Sequence, residues 1–156
     1  MIHRYGILPI VLAGFLGCDS AAGPSAPASA GPEVQEFVGL ANAHRQDAGC
    51  EPLLWHEGTA GVAQAHSEDM VEREFFAHQN PDGESPFDRL RSAGVEWSGG
   101  AGENIAWGYP TAAAVLAGWL GSAGHRANLE NCGFTHHGVG LEGTHWTHVF
   151  ITNPAS

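Results

Sequence analysis

Gly102-Glu103-Asn104-Ile105-Ala106 sets a carboxylate and an amide side by side, between a Gly-rich turn at residues 98–102 and a short apolar run. The run predicts a strand over residues 103–107. A Glu at the start of such a strand is costly to bury unless it is paired or hydrogen-bonded. Imidazoles stand on both sides of it in sequence, His78 before and His125 and His145 after. The rest of the chain reads as a scaffold for a cleft with Glu103 on one wall.

Upstream, Val34, Phe37, Val38, Ala41, His44 and Arg45 recur at helical spacing, and Gly49 stands where a helix C′ residue belongs. Residues 50–55 read as a connector whose Pro52-Leu53-Leu54-Trp55 carries apolar weight into the core. A second helix is predicted over residues 57–73, opened by Glu57 at the positive end of the helix dipole. Pro81-Asp82-Gly83 is a turn, because Pro fixes φ and Gly tolerates positive φ. Ser85, Pro86 and Asp88 then give a cap, a first helical residue and a carboxylate that reaches back. That short helix stops at Gly94.

Downstream of the strand, Thr111 caps a helix over residues 112–120, with Val115, Leu116 and Trp119 on one side. Residues 124–129 add one more helical turn. Residues 138–142 and 145–152 predict the arms of a hairpin around Gly143-Thr144. His136-His137 reads as a solvated loop before it. Helices, a short strand, helices again and a hairpin define the α+β class, with helices packed on a small sheet.

The chain has 156 residues, enough for one domain with a real core. It carries 17 acidic residues against 6 basic ones, all Arg, for a formal charge of −11. That balance excludes nucleic acid and anionic membrane surfaces as direct partners. The lack of Lys excludes Schiff-base and Lys-base chemistry.

Residues 1–18 read as a signal peptide. His3 and Arg4 give a positive start, and the apolar run of residues 6–16 is too short for an ordinary membrane anchor. It ends in Phe15-Leu16-Gly17-Cys18, similar to a bacterial lipobox, so Cys18 is the expected lipidation site. The alternative is a plain signal peptide cut among the Ala residues that follow. Residues 19–32, rich in Ala, Ser, Pro and Gly, read as a flexible tether. The domain proper is expected over residues 33–154, exported and held to a membrane through the lipid, or secreted. With Cys18 lipidated, Cys50 and Cys132 remain as an even pair in an oxidising compartment, which predicts a disulfide. Two buried free thiols are the alternative.

An ordered set of short motifs now lies along the chain. Asn42-Ala43-His44-Arg45 comes first, then Leu53-Leu54-Trp55, then Phe76-Ala77-His78 with Pro81-Asp82-Gly83. Gly102-Glu103-Asn104-Ile105-Ala106 is fourth. Trp119, Ser122 and Gly124-His125-Arg126-Ala127-Asn128-Leu129 follow, with Gly138-Val139-Gly140 and His145-Trp146-Thr147 trailing. The set resembles the CAP superfamily, the cysteine-rich secretory, antigen and pathogenesis-related family also called SCP, and most its bacterial branch. The resemblance covers about residues 34–152. It implies an α-β-α sandwich with a small, mainly antiparallel sheet and a wide cleft lined by two His and two Glu. By motif, His78 matches the first His, Glu103 the Glu of Gly-Glu-Asn, and His145 the second His. The second Glu position, three residues past Trp119, is Ser122, so the full tetrad is absent. His125, in a His-Arg-x-Asn pattern, takes part of that space.

The residue types themselves leave several chemistries open. His78, His145 and Glu103 offer imidazole and carboxylate ligands for Zn²⁺ or another divalent cation, with a fourth position free. His145 and His148 are three apart on a strand and face opposite sides, so only one belongs to the cleft, and His148 is the structural one. Ser122 with His125 or His78 as base and Glu103 as orienter is a nucleophile arrangement. A purely structural network is a third reading: Glu103 and Asn104 bonded to backbone and His, with Arg126 and Asn128 tying the last helix to the sheet. His44 and His66 read as satisfied or surface groups. Most of the five Trp belong in the core, with one or two at a cleft rim. The leading function is a binding or interaction module of the cell envelope with cleft residues His78, Glu103, Asn104, Ser122, His125 and His145. Its ligand would be a small apolar molecule, which the resemblance suggests, or an envelope component. A metal-dependent hydrolase or peptidase and a purely structural envelope protein are the alternatives.

Overall fold

The computed structural model describes residues 25–154. The expected signal peptide and Cys18 lie outside these residues. A 3-10 turn, Ala28–Ala30, leads into α1 (Pro32–Asp47), β1 (Leu54–Trp55), α2 (Glu57–Glu72), α3 (Pro86–Ser92), β2 (Ala101–Trp107), α4 (Ala112–Leu120), α5 (Ala123–Leu129), β3 (His136–Glu142) and β4 (His145–Ile151). The four strands form one sheet in the order β1-β3-β4-β2, with β1 parallel to β3 and the other pairs antiparallel. Among the described residues no helix is long and apolar enough to cross a membrane.

Strand alternation divides the core in two. Trp146 and Phe150 of β4 face α1 and α4, where Phe37 meets Trp119 edge-on at 5.4 Å and Trp146 at 5.8 Å. Val149 and Ile151 face the other way, into a cluster with Val62 and Ala63 of α2 and Leu90 of α3. The sheet is thus the filling of an α-β-α sandwich, as expected. Gly138 and Gly140 make the α2 side tight: a Cβ on the first would collide with the backbone of Thr59 and Ala60, and one on the second with that of Ala63 and Gln64. Ser67 Oγ and Thr147 Oγ1 close a buried hydrogen bond of 2.8 Å across the same interface.

Local signals act as read at several element ends. Ser85 and Asp88 form a reciprocal capping box on α3, with Pro86 inside it. Thr111 Oγ1 accepts from Ala114 N at the start of α4. Gly49, with φ of 85°, ends α1, and Cys50 N donates back to Arg45 O. The cap of α2 is instead His56, whose Nδ1 accepts from Thr59 N at 3.1 Å.

Four expectations change. Residues 50–55 hold a strand, because Leu54 N donates to Thr135 O and His56 N to His137 O. His136-His137 is not a solvated loop but the start of β3, and His137 is fully buried. Arg126 does not reach the sheet; its Nε donates to Leu120 O at the end of α4. From Ser25 on, the expected tether packs on the domain: Ala26 joins the main core, and Gln35 Nε2 donates to Ala28 O.

Arg45 organises the loop that carries the disulfide. Its fully buried guanidinium donates to the carbonyls of Glu51, Leu129, Asn131 and Phe134. Burial lowers its pKa. Those carbonyls take the place of a carboxylate partner, and Cys50–Cys132 is bridged beside them, as expected.

Two more features matter below. His137 Nδ1 and His148 Nε2 share a proton across 2.9 Å in the core. In either tautomer one ring N–H and one lone pair find no partner among the described residues. Beyond its short pairing with β1, β3 has an open edge. Gln64 covers it like a strand residue: its Oε1 accepts from Leu141 N at 2.9 Å and its Nε2 donates to Leu141 O at 3.2 Å.

Candidate functional site

β2 is one of the two edge strands of the sheet, and its Glu103 lies opposite Val149 on the α2 side. The turn before α3 brings two donors to that carboxylate. Asn80 folds the turn, its Oδ1 accepting from Asp82 N and Glu84 N, while Gly83 supplies the positive φ. His78 at one end of it donates Nδ1–H to Glu103 Oε1 at 2.8 Å. Arg89 of α3 donates from Nη2 to Glu103 Oε2 at 2.7 Å and from Nη1 to His78 O at 2.7 Å. The Glu103 side chain is only 2% exposed and that of Arg89 9%, so this is a buried ion pair. With Nδ1 committed, His78 presents Nε2 outward, and its side chain is 52% exposed.

The other face of β2 is structural. Asn104 is fully buried and donates from Nδ2 to His125 O at 3.0 Å. Asn128 donates to Asn104 Oδ1 at 2.9 Å and to Glu103 O at 3.3 Å. These bonds dock α5 on the sheet edge, so the Asn104 side chain is turned into the protein and positions the backbone of His125. The His125 ring lies 6.4 Å from Trp119. Burial first, and the charge of His78 second, lower its pKa, which places both imidazoles in one electrostatic neighbourhood. Ser122 is the N-cap residue of α5, and no hydrogen bond joins its Oγ to His78 or His125 among the described residues. The nucleophile arrangement is therefore not assembled.

His145 stands elsewhere. It pairs with Trp107 at the far end of β2, four positions from the Val149 level, about 13 Å along the strand. Its ring stacks on Trp107 at 5.4 Å and 14°, and burial lowers its pKa. His148 faces the opposite core, its ring 3.9 Å from that of Phe150 and tilted by 36°, as the strand period requires. His78, Glu103 and His145 thus do not converge, and among the described residues no three His, Cys, Asp or Glu side chains could hold one metal ion. The donor set that the sequence offers for Zn²⁺ is not gathered at one point.

Sequence reasoning missed Arg89. The available signal was physical: a buried Glu calls for donors or a cation, and Arg89 stands one helical turn after the Ser85 cap. The residue carries no motif, so only the turn geometry shows that it faces Glu103 and not solvent.

The fold and the Gly-Glu-Asn edge strand define a class of α-β-α sandwich domains. The Cysteine-rich secretory protein family, CAP, matches residues 38–151, and the chain belongs to that family. It is 43% identical over 129 residues to the uncharacterized protein YkwD of Bacillus subtilis, covering 81% of this chain and 50% of that protein. It is 41% identical over 117 residues to the uncharacterized membrane protein YlbC of the same organism, covering 75% and 34%. The chain therefore spans half or less of the curated relatives it matches. An extracellular protein containing a SCP domain from Bacillus anthracis superimposes with a TM-score of 0.73 at 37% identity, over 83% of this chain and 45% of that one. An outer surface protein of Borrelia burgdorferi shares the fold alone, with a TM-score of 0.70 at 17% identity over 84% and 98%.

Proposed function

We propose that the chain is an exported binding module of the cell envelope, tethered through a lipid on Cys18, whose cleft holds a small ligand or an envelope component without turning it over. One observation carries the reading: both oxygens of Glu103 are occupied, by His78 and by Arg89. A general base must reach the proton it takes, and this carboxylate, its side chain only 2% exposed, is turned to these two partners and serves to hold them in place. The His78 Nε2 edge is left as a polar contact for a ligand. The extracellular description of the Bacillus anthracis protein supports export.

Fractionation of cells expressing the full chain and C18S tests the anchor. Native protein in the membrane fraction with a lipid-modified N-terminal peptide, and release of C18S, are expected. Full-mass protein in the cytosol overturns it. A hydrolytic activity of the purified chain that disappears in E103Q would overturn the binding reading.

A further inference from the structure

We propose that a second pocket, between the C-terminal end of α2 and the paired ends of β2 and β4, binds a small free quaternary ammonium compound of the choline type. Phe76, Trp107 and His145 are its aromatic walls and Glu74 its counter-charge. The pocket has a volume of about 370 Å³, is lined by none of His78, Glu103 or Arg89, and stands apart from the cleft whatever that cleft does.

Its walls are unusual for surface residues. Val71, Phe76 and Trp107 make up half of the large apolar side chains exposed among the described residues, and all three line this one pocket. Such concentration marks a contact site. The imidazole of His145 backs the Trp107 indole, yet 62% of Trp107 stays exposed. Phe76 stands 6.4 Å from Trp107 at 46° and 6.5 Å from His145 at 60°. Phe76 is thus inclined to the stacked Trp107–His145 pair, and the two aromatic walls bring π systems to one space where a single cation can sit.

The charges select the occupant. No Arg lines the pocket, and Glu74 does. Val71 is shared with an adjoining depression whose other walls are Glu68, Glu72 and Glu142. Arg73 lies 5.8 Å from the centroid of Phe75, a further wall of the pocket, but its guanidinium is tied to Asp69 and Asp82, which offset its charge. Glu74 also holds a φ of 53°, at the C′ position of α2 where Gly is the usual residue. A carboxylate kept at a strained position beside a pocket fits a clamp for a cation. Methyl groups suit the apolar walls of Met70 and Val71 better than a hydrated ammonium does. The surrounding carboxylates repel a phosphate or carboxylate on the same ligand, which favours free choline over a phosphocholine head group.

Titration calorimetry of the full chain with choline, phosphocholine and dimethylbutanol, the uncharged carbon isostere of choline, tests this. One choline per chain is expected, binding about tenfold more tightly than the isostere and more tightly than phosphocholine. Trp107→Leu, at an exposed position, should abolish binding with an unchanged thermal midpoint, and Glu74→Gln should weaken it about threefold. Equal binding of choline and its isostere, no choline binding by the cooperatively folded native chain, or binding retained in both variants overturns the proposal. Tighter binding of phosphocholine overturns the free cation in favour of a lipid head group.

Discussion

Lowering the pH from 6.5 to 4.5 should cost this domain about 5 kcal/mol of stability through two core histidines. His137 and His148 are fully buried. Desolvation is the main cause that pushes the His137 pKa down to about 3, and His148 well below its usual value, with Arg45 and a neighbouring imidazole adding to the effect in each case. The charge that acts on the pair is thus cationic, and no carboxylate offsets it. The sign follows from proton uptake. Below pH 6.5 the unfolded chain binds a proton at each position that the folded chain refuses, so stability falls as pH falls. Each group contributes about 1.4 kcal/mol per pH unit, and the pair loses about 5 kcal/mol between pH 6.5 and 4.5. Burial of His66 acts in the same direction. Since domains of this size hold roughly 5–15 kcal/mol in total, acid unfolding should set in well above the carboxylate range. Urea denaturation followed by Trp fluorescence at pH 7, 6, 5 and 4.5 reads it directly. His148→Gln keeps an amide partner for His137 and removes one titrating ring, so its pH slope should be about half that of the native chain. A native midpoint that is flat over this range, or an identical slope in the variant, refutes the reasoning.

Glu103→Ala should destabilise by about 3 kcal/mol, because it leaves the Arg89 guanidinium buried without its charge partner; His78→Ala, at a half-exposed ring, should cost under about 1 kcal/mol. Equal denaturation midpoints for the two variants would show the ion pair to be idle. Reduction of Cys50–Cys132, which closes a separation of 82 residues, should cost up to about 4.5 kcal/mol in the chain-entropy model. Native circular dichroism should nevertheless survive at neutral pH, since Arg45 holds the same loop; loss of the fold on reduction alone contradicts that role. Gly138→Ala should cost about 3 kcal/mol or prevent folding, since the added methyl meets α2 backbone and not a movable side chain; a thermal midpoint within a degree or two of native would refute the close approach.

The elements with strong local signatures were legible in the sequence. The capping box at Ser85, the Thr111 cap and the Gly49 terminus act through neighbours within four residues, and that range is what a linear reading sees. The pairing of Glu103 with His78 was legible as a need, since a strand carboxylate demands donors. Arg89, Arg45 and the His137–His148 pair were not. Each works through partners far away along the chain, and their burial depends on which side of a strand or turn faces the core. His145 shows the same limit. Its motif position suggested the cleft, while the strand register sends it to the far end of β2 beside Trp107. β1 escaped because two residues carry no period.

Gln64 has a consequence for how these domains meet one another. An unpaired strand edge invites a second chain to add its own strand, and natural sheets guard against that. Here one amide side chain occupies both the donor and the acceptor of Leu141. The β3 side of the sheet therefore comes with its growth point already plugged at Leu141, and crowding many copies on one surface need not seed fibres from that side. Exchanging Gln64 for Ala would remove the plug while leaving the cleft and the disulfide untouched, turning a self-contained bead into a link that can be chained.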